Sequence, residues 1–162
     1  MDRCTWVGID KIYQDYHDTE WGVPEYDSRA LWEKLILDGF QAGLSWITIL
    51  KKRPAFRSAF AGFDPQEIAG WGAAEVEVLL QNRGIVRHRG KIEATISNAQ
   101  AYLRLAEEMP FSDRMWAYVD GRPIVAGYET LAQVPTQSPL SQKISKDLKA
   151  AGFKFCGPTI VY

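Results

Sequence analysis

Basic side chains crowd one short connection between two segments with helical character, in the stretch QNRGIVRHRGKI. A Gly-containing turn of this kind exposes backbone N–H groups at the start of its second helix, and such donors bind phosphate whatever the base sequence. Gly84 permits a positive φ and a close approach of a phosphate backbone. Arg87, Arg89 and Lys91 add charge that releases the counterions of DNA, and Ile85 is expected to anchor the turn in the core. The pattern predicts a DNA-binding hairpin; the alternative is a solvated helix end with Gly84 as its C-cap.

Cys4 and His17 form a second candidate group, near the start of the chain. Thiolate and imidazole suit the tetrahedral coordination of zinc. Two ligands by themselves do not define a structural zinc site, and a Cys beside an unrelated His is the ordinary alternative. The other cysteine, Cys156, lies near the opposite end, so the two residues do not make a disulfide framework and a reducing, cytoplasmic setting is expected.

Helical periodicity positions these groups, and sustained strand-like alternation is absent from the sequence. The spacing predicts an all-α protein with about eight helices and short connections, forming a single domain over residues 1–162. Residues 1–26 are rich in aromatic side chains and show no clean helical pattern, so we expect them to pack as an arm over the helical body. The helix-hairpin-helix region is predicted over residues 73–109.

Several residues predict where helices begin and end. Asp27 and Ser28 are both candidate N-caps of one helix, and Asp64 is the candidate for another. Pro54 is predicted to follow the end of the helix in QAGLSWITILKKR. Ser112 is predicted to cap a short helix. Pro158 is predicted to begin a last helix. Because the sequence stops within the first turn of that helix, we expect the natural protein to continue further.

The formal net charge of -1 predicts no polyanion partner from bulk charge, so any nucleic-acid site must be a local patch. The first ten residues, MDRCTWVGID, lack the apolar segment of a signal peptide. No apolar run is long enough to span a bilayer. We therefore expect a monomer without a membrane partner.

Five stretches together resemble the DNA-3-methyladenine glycosylase I family of helix-hairpin-helix glycosylases: RCTWV, YHDTEWGVP, QAGLSWITILKKR, GIVRHRGKI with NAQAYL, and LKAAGFKFCGPTIVY. The resemblance spans nearly the whole chain, with aromatic, glycine and histidine positions in the family's order and spacing. It implies an all-α enzyme of base excision repair that hydrolyses the N-glycosidic bond of N3-methyladenine in alkylated double-stranded DNA. Free 3-methyladenine leaves, and the strand stays intact at an abasic site.

The resemblance also implies which side chains hold the base. A damaged base must leave the stack before an enzyme acts on it. The family's pattern places four aromatic residues around the extruded base: Tyr13, Tyr16, Trp21 and Trp46. N3-methyladenine in DNA is cationic, so electron-rich ring faces favour it over adenine. Taken singly, each aromatic is more typical of core packing, and Trp6 and Trp32 are interpreted as core.

By the same resemblance, Asp38 is the catalytic carboxylate that hydrogen-bonds the base, at a position where the family usually has Glu. Asp is shorter by one methylene, so a water could bridge the remaining distance. The alternative is an exposed acid near a helix end. Gly43 and Leu44 are implied to contact DNA, with Leu44 as an apolar wedge in the gap that the base leaves; a core position for Leu44 is equally compatible.

In the family, the Cys and His at positions 4 and 17 share a zinc ion with a His and a Cys near the C-terminus. Cys156 does not match that position, so half a structural zinc site is expected here. Two functional hypotheses remain: a monofunctional glycosylase, and a non-catalytic helix-hairpin-helix module that binds DNA or senses lesions. A purely structural domain is a third, which the combination of YHDTEWG and GLSW disfavours.

Overall fold

A computed structural model describes residues 3–162, and this range contains α-helices and no β-strand. The predicted all-α class is therefore confirmed. The nine α-helices of the described range are α1 (Lys11–Thr19), α2 (Ser28–Gln41), α3 (Trp46–Ala59), α4 (Pro65–Ile68), α5 (Ala73–Gln81), α6 (Arg89–Ala106), α7 (Phe111–Ala117), α8 (Pro139–Ala150) and α9 (Pro158–Val161). Within residues 3–162, every helix is too short or too polar to cross a membrane.

The core is built from large apolar side chains of α2, α3 and α6. Trp32 and Phe40 of α2, Ile49 and Phe56 of α3, and Ile92 of α6 are all buried almost completely. Burying a side chain of this size contributes about 1.5–3 kcal/mol relative to leaving it exposed. The core thus fixes α2 and α3 against α6, and the connection between α2 and α3 is held at one edge of this unit.

The N-terminal arm differs from the prediction because much of it is helical. Asp10 caps α1 by accepting a hydrogen bond from the backbone N–H of Ile12 at 3.2 Å. Tyr13 and Tyr16 lie three residues apart, which places them on the same face of the helix, and α1 packs on α3. Aromatic and β-branched residues are weak helix formers, and so short a helix depends on tertiary packing. Low propensity and a length of nine residues are why this helix was not predicted from the sequence.

The structure confirms most of the predicted helix starts named here but not the predicted helix end at Pro54. Of the two candidates for α2, Asp27 is the cap and accepts from the backbone N–H of Ala30 at 2.8 Å, while Ser28 is the first helical residue. Asp64 caps α4. Pro158 begins α9 as expected. Pro54, however, lies inside α3, which continues to Ala59.

The continuation of α3 past Pro54 follows from the core. Phe56 lies after the proline and is completely buried, so the packing of this last turn outweighs the backbone hydrogen bond that the proline removes. Ser112 is also misplaced by the prediction, because α7 begins at Phe111. The backbone N–H of Ser112 instead donates to the hydroxyl of Ser28 at 2.9 Å, which ties α7 to the start of α2.

Candidate active site

A cavity of about 720 Å³ lies between the arm, α2, the connection to α3 and the C-terminal segment. All of the aromatic residues predicted to hold the base line this cavity: Tyr13, Tyr16, Trp21 and Trp46. Asp38, Gly43 and Leu44 line it as well. The tertiary structure therefore brings the predicted base-binding group, the predicted carboxylate and the predicted wedge to one place.

Two buried rings form the inner wall of the cavity. The centroids of Tyr16 and Trp46 are 5.4 Å apart with their planes at 54°. Burial raises the pKa of Tyr16 to about 12, and the nearby Asp38 carboxylate adds to the shift. The Tyr16 hydroxyl is therefore protonated at neutral pH and able to donate a hydrogen bond. Trp21 is different, because about half of its surface is exposed and it stands at the mouth of the cavity.

Trp6 packs against the core, as interpreted from the sequence, but it is only partly buried and also belongs to this aromatic group. Its ring lies 4.7 Å from Tyr13 and 5.5 Å from Trp21, and it lines the cavity. Trp32 is a core residue as predicted. The one sequence signal for Trp6 is its place in RCTWV, among the stretches that carry the family resemblance. The hydrophobic periodicity around it does not indicate a place in the cavity.

Asp38 is held inside the cavity wall by an ion pair. Its carboxylate oxygens accept hydrogen bonds from Nζ of Lys34 at 2.6 and 2.7 Å, and its side chain is only 18% exposed. Burial raises the pKa of the Asp38 carboxyl, and the charge of Lys34 opposes that shift. The alternative of an exposed acid is wrong. Lys34 is not among the residues predicted from the sequence, although its i,i+4 spacing from Asp38 on one helix predicts the contact.

The connection between α2 and α3 places Gly43 and Leu44 at the mouth of the cavity. Gly43 has a φ of +81°, a left-handed conformation that glycine adopts without steric cost. Leu44 is 44% exposed, so the alternative of a core position is wrong. Its role as a wedge in DNA stays a prediction.

The predicted hairpin joins α5 to α6, and its basic residues have different environments. Arg83 and Arg87 are exposed. Arg89 is exposed too, but it pairs with Glu77 at 2.7 Å and lies 3.8 Å from Glu93. Two acidic neighbours therefore reduce the positive potential at Arg89, while Arg83 and Arg87 remain the better candidates for phosphate contacts.

Lys91 contradicts its predicted role in DNA binding. It is 7% exposed, and its ammonium donates to the backbone carbonyls of Phe40 at 2.9 Å and Ala42 at 2.6 Å. The last carbonyls of a helix have no partner within the helix, and Lys91 supplies one at the end of α2. The residue therefore supports the cavity wall from behind instead of contacting phosphate.

Gly84 is needed for packing and not for a left-handed turn, because its φ is not positive. A Cβ at this position would lie 2.9 Å from the Cβ of Ala55 and 3.0 Å from Oδ1 of Asn82. The hairpin thus rests directly on α3. Ile85 is buried, which confirms that it anchors the hairpin in the core.

The predicted zinc ligands Cys4 and His17 are neighbours, with the backbone N–H of Cys4 donating to Nε2 of His17 at 3.3 Å. Nδ1 of His17 lies 3.0 Å from a carboxylate oxygen of Asp18, an arrangement often found behind metal-binding histidines. A structural zinc ion takes four ligands. Residues 3–162 contain no group of three or more His, Cys, Asp or Glu that could hold a metal, and Cys156 is buried elsewhere. The described residues do not make a complete site, so zinc stays a prediction and no step of the reaction is assigned to it.

A family model described as methyladenine glycosylase matches residues 6–162 of this sequence. The chain belongs to the methyladenine glycosylase family. It is 51% identical over 163 residues to DNA-3-methyladenine glycosylase 1 of Escherichia coli (strain K12), in an alignment that covers 100% of this chain and 87% of that protein.

Solved structures agree with the family assignment. A crystal structure of 3-methyladenine DNA glycosylase I superposes with a TM-score of 0.97 at 52% identity, covering 99% of this chain and 89% of that one. A Tyr-to-Phe variant of 3-methyladenine DNA glycosylase I, crystallised in complex with 3-methyladenine, superposes with a TM-score of 0.96 at 41% identity, covering 99% and 87%. The methyladenine glycosylase fold therefore extends over essentially the whole chain.

Proposed function

We propose that this chain is a monofunctional DNA glycosylase that removes N3-methyladenine from alkylated double-stranded DNA. The observation that carries the proposal is that Tyr16, Trp46 and Asp38 line one cavity in a methyladenine glycosylase. The family member solved in complex with 3-methyladenine supports the same ligand for this cavity.

The aromatic rings select the lesion by charge as well as by shape. Alkylation at N3 leaves a positive charge on the base while it is attached to the sugar. The faces of Tyr16 and Trp46 attract such a cation, an effect worth about 2 kcal/mol or more in a desolvated site. Normal adenine lacks the charge and gains less from the same rings, so the cavity favours the lesion.

The hydrolysis needs little help from a strong acid or base. The bond between C1′ of the sugar and the base breaks, its electron pair goes to the base, and the base departs neutral. Water adds its oxygen to C1′ and gives up a proton to solvent. The Asp38 carboxylate accepts a hydrogen bond from the base, and its negative charge supports the positive charge that develops on the sugar. No lysine adduct is required, so the strand is not cut.

The hairpin supplies DNA affinity that does not depend on sequence. Arg83 and Arg87 are exposed on the connection between α5 and α6. Contacts of such residues with phosphate position the duplex but do not read the bases. Leu44 at the mouth of the cavity is suited to fill the gap that the extruded base leaves.

The decisive experiment measures release of free 3-methyladenine from methylated duplex DNA. Release by the parent chain separates the enzyme from a non-catalytic lesion-sensing module, which would bind the DNA without releasing base. Tyr16→Ala and Trp46→Ala should each weaken binding of free 3-methyladenine by about 1–3 kcal/mol, the usual contribution of one aromatic to base stacking.

A matched control for these variants is Tyr102→Ala. Tyr102 is as buried as Trp46 but packs on Trp32, outside the cavity. This variant should lose stability while its folded fraction binds the base like the parent. If Tyr16→Ala and Trp46→Ala also bind like the parent, the cavity is not the base site.

A further inference from the structure

Lys34 contacts Asp38 and Trp46, two of the residues that are proposed to recognise the base. Its ammonium donates to both oxygens of Asp38, at 2.6 and 2.7 Å, and lies 4.3 Å from the centroid of the Trp46 ring. An ion pair and a cation–π contact are also what a positively charged base would make here. A cation that belongs to the protein therefore stands where the lesion has to bind.

A second cavity, of about 530 Å³, lies on the other side of Lys34. Lys34 lines both cavities, and its side chain is 44% exposed, so another rotamer towards the second cavity has space. Glu20 and Glu33 line the second cavity and pair with Arg53 and Arg57. The hydrogen bonds from Arg53 lower the pKa of Glu20, and the charge of Lys34 contributes to the same shift. The ammonium thus has both space and an anionic neighbour away from Asp38.

We propose that Lys34 is a specificity-determining residue that competes with the base for Asp38 and Trp46 and swings towards the second cavity when a cationic base takes its place. This inference rests on the proposed function. A cationic base replaces the charge of Lys34 at both Asp38 and Trp46, whereas a neutral base brings no charge to either contact. Once the glycosidic bond has broken, the base is neutral, so Lys34 returns to Asp38 and favours release of the product.

The chain contains a matched copy of this arrangement outside both cavities. On α8, Lys143 donates to Asp147 at 2.7 Å with the same i,i+4 spacing, and its ammonium lies 4.9 Å from the centroid of the Tyr118 ring. Substituting Lys143 removes the same net charge and the same kind of contacts, but not from the base site. It is therefore the control for Lys34.

The test measures the dissociation constant of free 3-methyladenine by calorimetry for the parent, Lys34→Met, Lys34→Arg and Lys143→Met. Lys34→Met should bind the free base about 10-fold tighter, because the competing cation is gone. Lys34→Arg keeps the charge and should resemble the parent, as should Lys143→Met. In excision assays on methylated DNA, the rate of Lys34→Met should fall more under multiple turnover than under single turnover, because 3-methyladenine dissociates more slowly from this variant.

Lys34→Gln provides a second neutral variant should methionine disturb the cavity wall, and thermal unfolding shows whether each variant is folded. Equal or weaker binding of the free base by both neutral variants would overturn the competition. A similar gain in Lys143→Met would also overturn it, since the effect would then be one of net charge. A parent chain that releases no 3-methyladenine from methylated DNA would overturn the proposed function, and Lys34 competition with it.

Discussion

Asp38 carries its carboxylate one methylene closer to the helix backbone than the family's usual Glu would, and Lys34 pairs with it inside the cavity wall. Lys34 holds both of the oxygens that the proposed contact with the base would use. Burial disfavours the charged form of this carboxyl and Lys34 favours it, so its protonation depends on the balance between the two. The pH dependence of stability reports on that balance.

Burial raises the pKa of the Asp38 carboxyl above its ordinary value of 3.8. An acid whose pKa is higher in the folded state adds stability below the unfolded value, and this contribution is lost as the pH rises through the folded value. Asp38→Asn cannot titrate. We therefore expect the free energy of unfolding of Asp38→Asn to improve relative to the parent as the pH rises above 3.8. Urea unfolding from about pH 3 to about pH 8 measures the difference.

Asp147 provides a control with the opposite sign. Hydrogen bonds from Lys143 and Tyr118 lower the pKa of its carboxyl below 3.8. Its contribution is present above the unfolded value and is lost as the pH falls through the folded one. The free energy of unfolding of Asp147→Asn should therefore rise relative to that of the parent as the pH falls. The same trend with pH in both asparagine variants would contradict the assignment for Asp38.

The hairpin between α5 and α6 contains two kinds of basic residue, which only their surroundings distinguish. Arg87 is exposed, whereas Lys91 is buried and holds the carbonyls at the end of α2. The first is the residue predicted to contact phosphate, and the second stabilises the helix that carries Asp38. Substitutions at the two positions should therefore affect different measurements.

Arg87→Ala should weaken DNA binding about equally for all sequences and reduce the slope of log K against log salt by about 1, with no change in thermal stability. Lys91→Met should leave the salt slope unchanged and lower the free energy of unfolding by about 1–3 kcal/mol, because the buried carbonyl of Phe40 and the part-buried carbonyl of Ala42 lose their donor. Salt titrations of duplex binding and urea unfolding provide both measurements. An altered salt slope in Lys91→Met would show that its ammonium reaches phosphate after all.

The C-terminal segment lines the cavity although it lies far along the chain from the other residues that form it. Residues from Thr159 to Tyr162 line the cavity opposite the arm. Asn98 of α6 holds the preceding residues, because its side chain donates to the carbonyl of Lys154 at 3.1 Å and accepts from its N–H at 2.8 Å. The cavity is therefore a property of the whole molecule, assembled from both ends of the described chain.

Asn98→Ala should lower the free energy of unfolding by about 1–3 kcal/mol, since the part-buried backbone N–H and carbonyl of Lys154 lose their partners. It should also weaken binding of free 3-methyladenine, because α9 is less firmly held. Gln100→Ala is the control on the same helix: its side chain donates to the carbonyl of Ala69 at 3.1 Å but is exposed and away from the cavity. Unfolding curves and calorimetry compare the two. Unchanged base binding in a measurably destabilised Asn98→Ala would show that the segment's position does not depend on this contact.

Local patterns in the sequence determined the helical class and many helix starts. Caps such as Asp27 and Asp64 act within three residues of themselves, so their effect is visible without the fold. The family resemblance indicated Tyr16, Trp46 and Asp38 as candidates for the base site, and the structure brings them into one cavity. These features could be predicted because they depend on neighbouring residues or on a motif that spans the chain.

Burial and long-range partners were decided by the tertiary structure alone. Lys91 looks like a phosphate ligand until its partner, 51 residues earlier, is known. The sequence pattern likewise does not show that Trp6 reaches the cavity or that Lys34 lies over Trp46. A side chain's charge is a property of its type, but whether that charge meets water, a carbonyl or a ring depends on which distant elements pack against it.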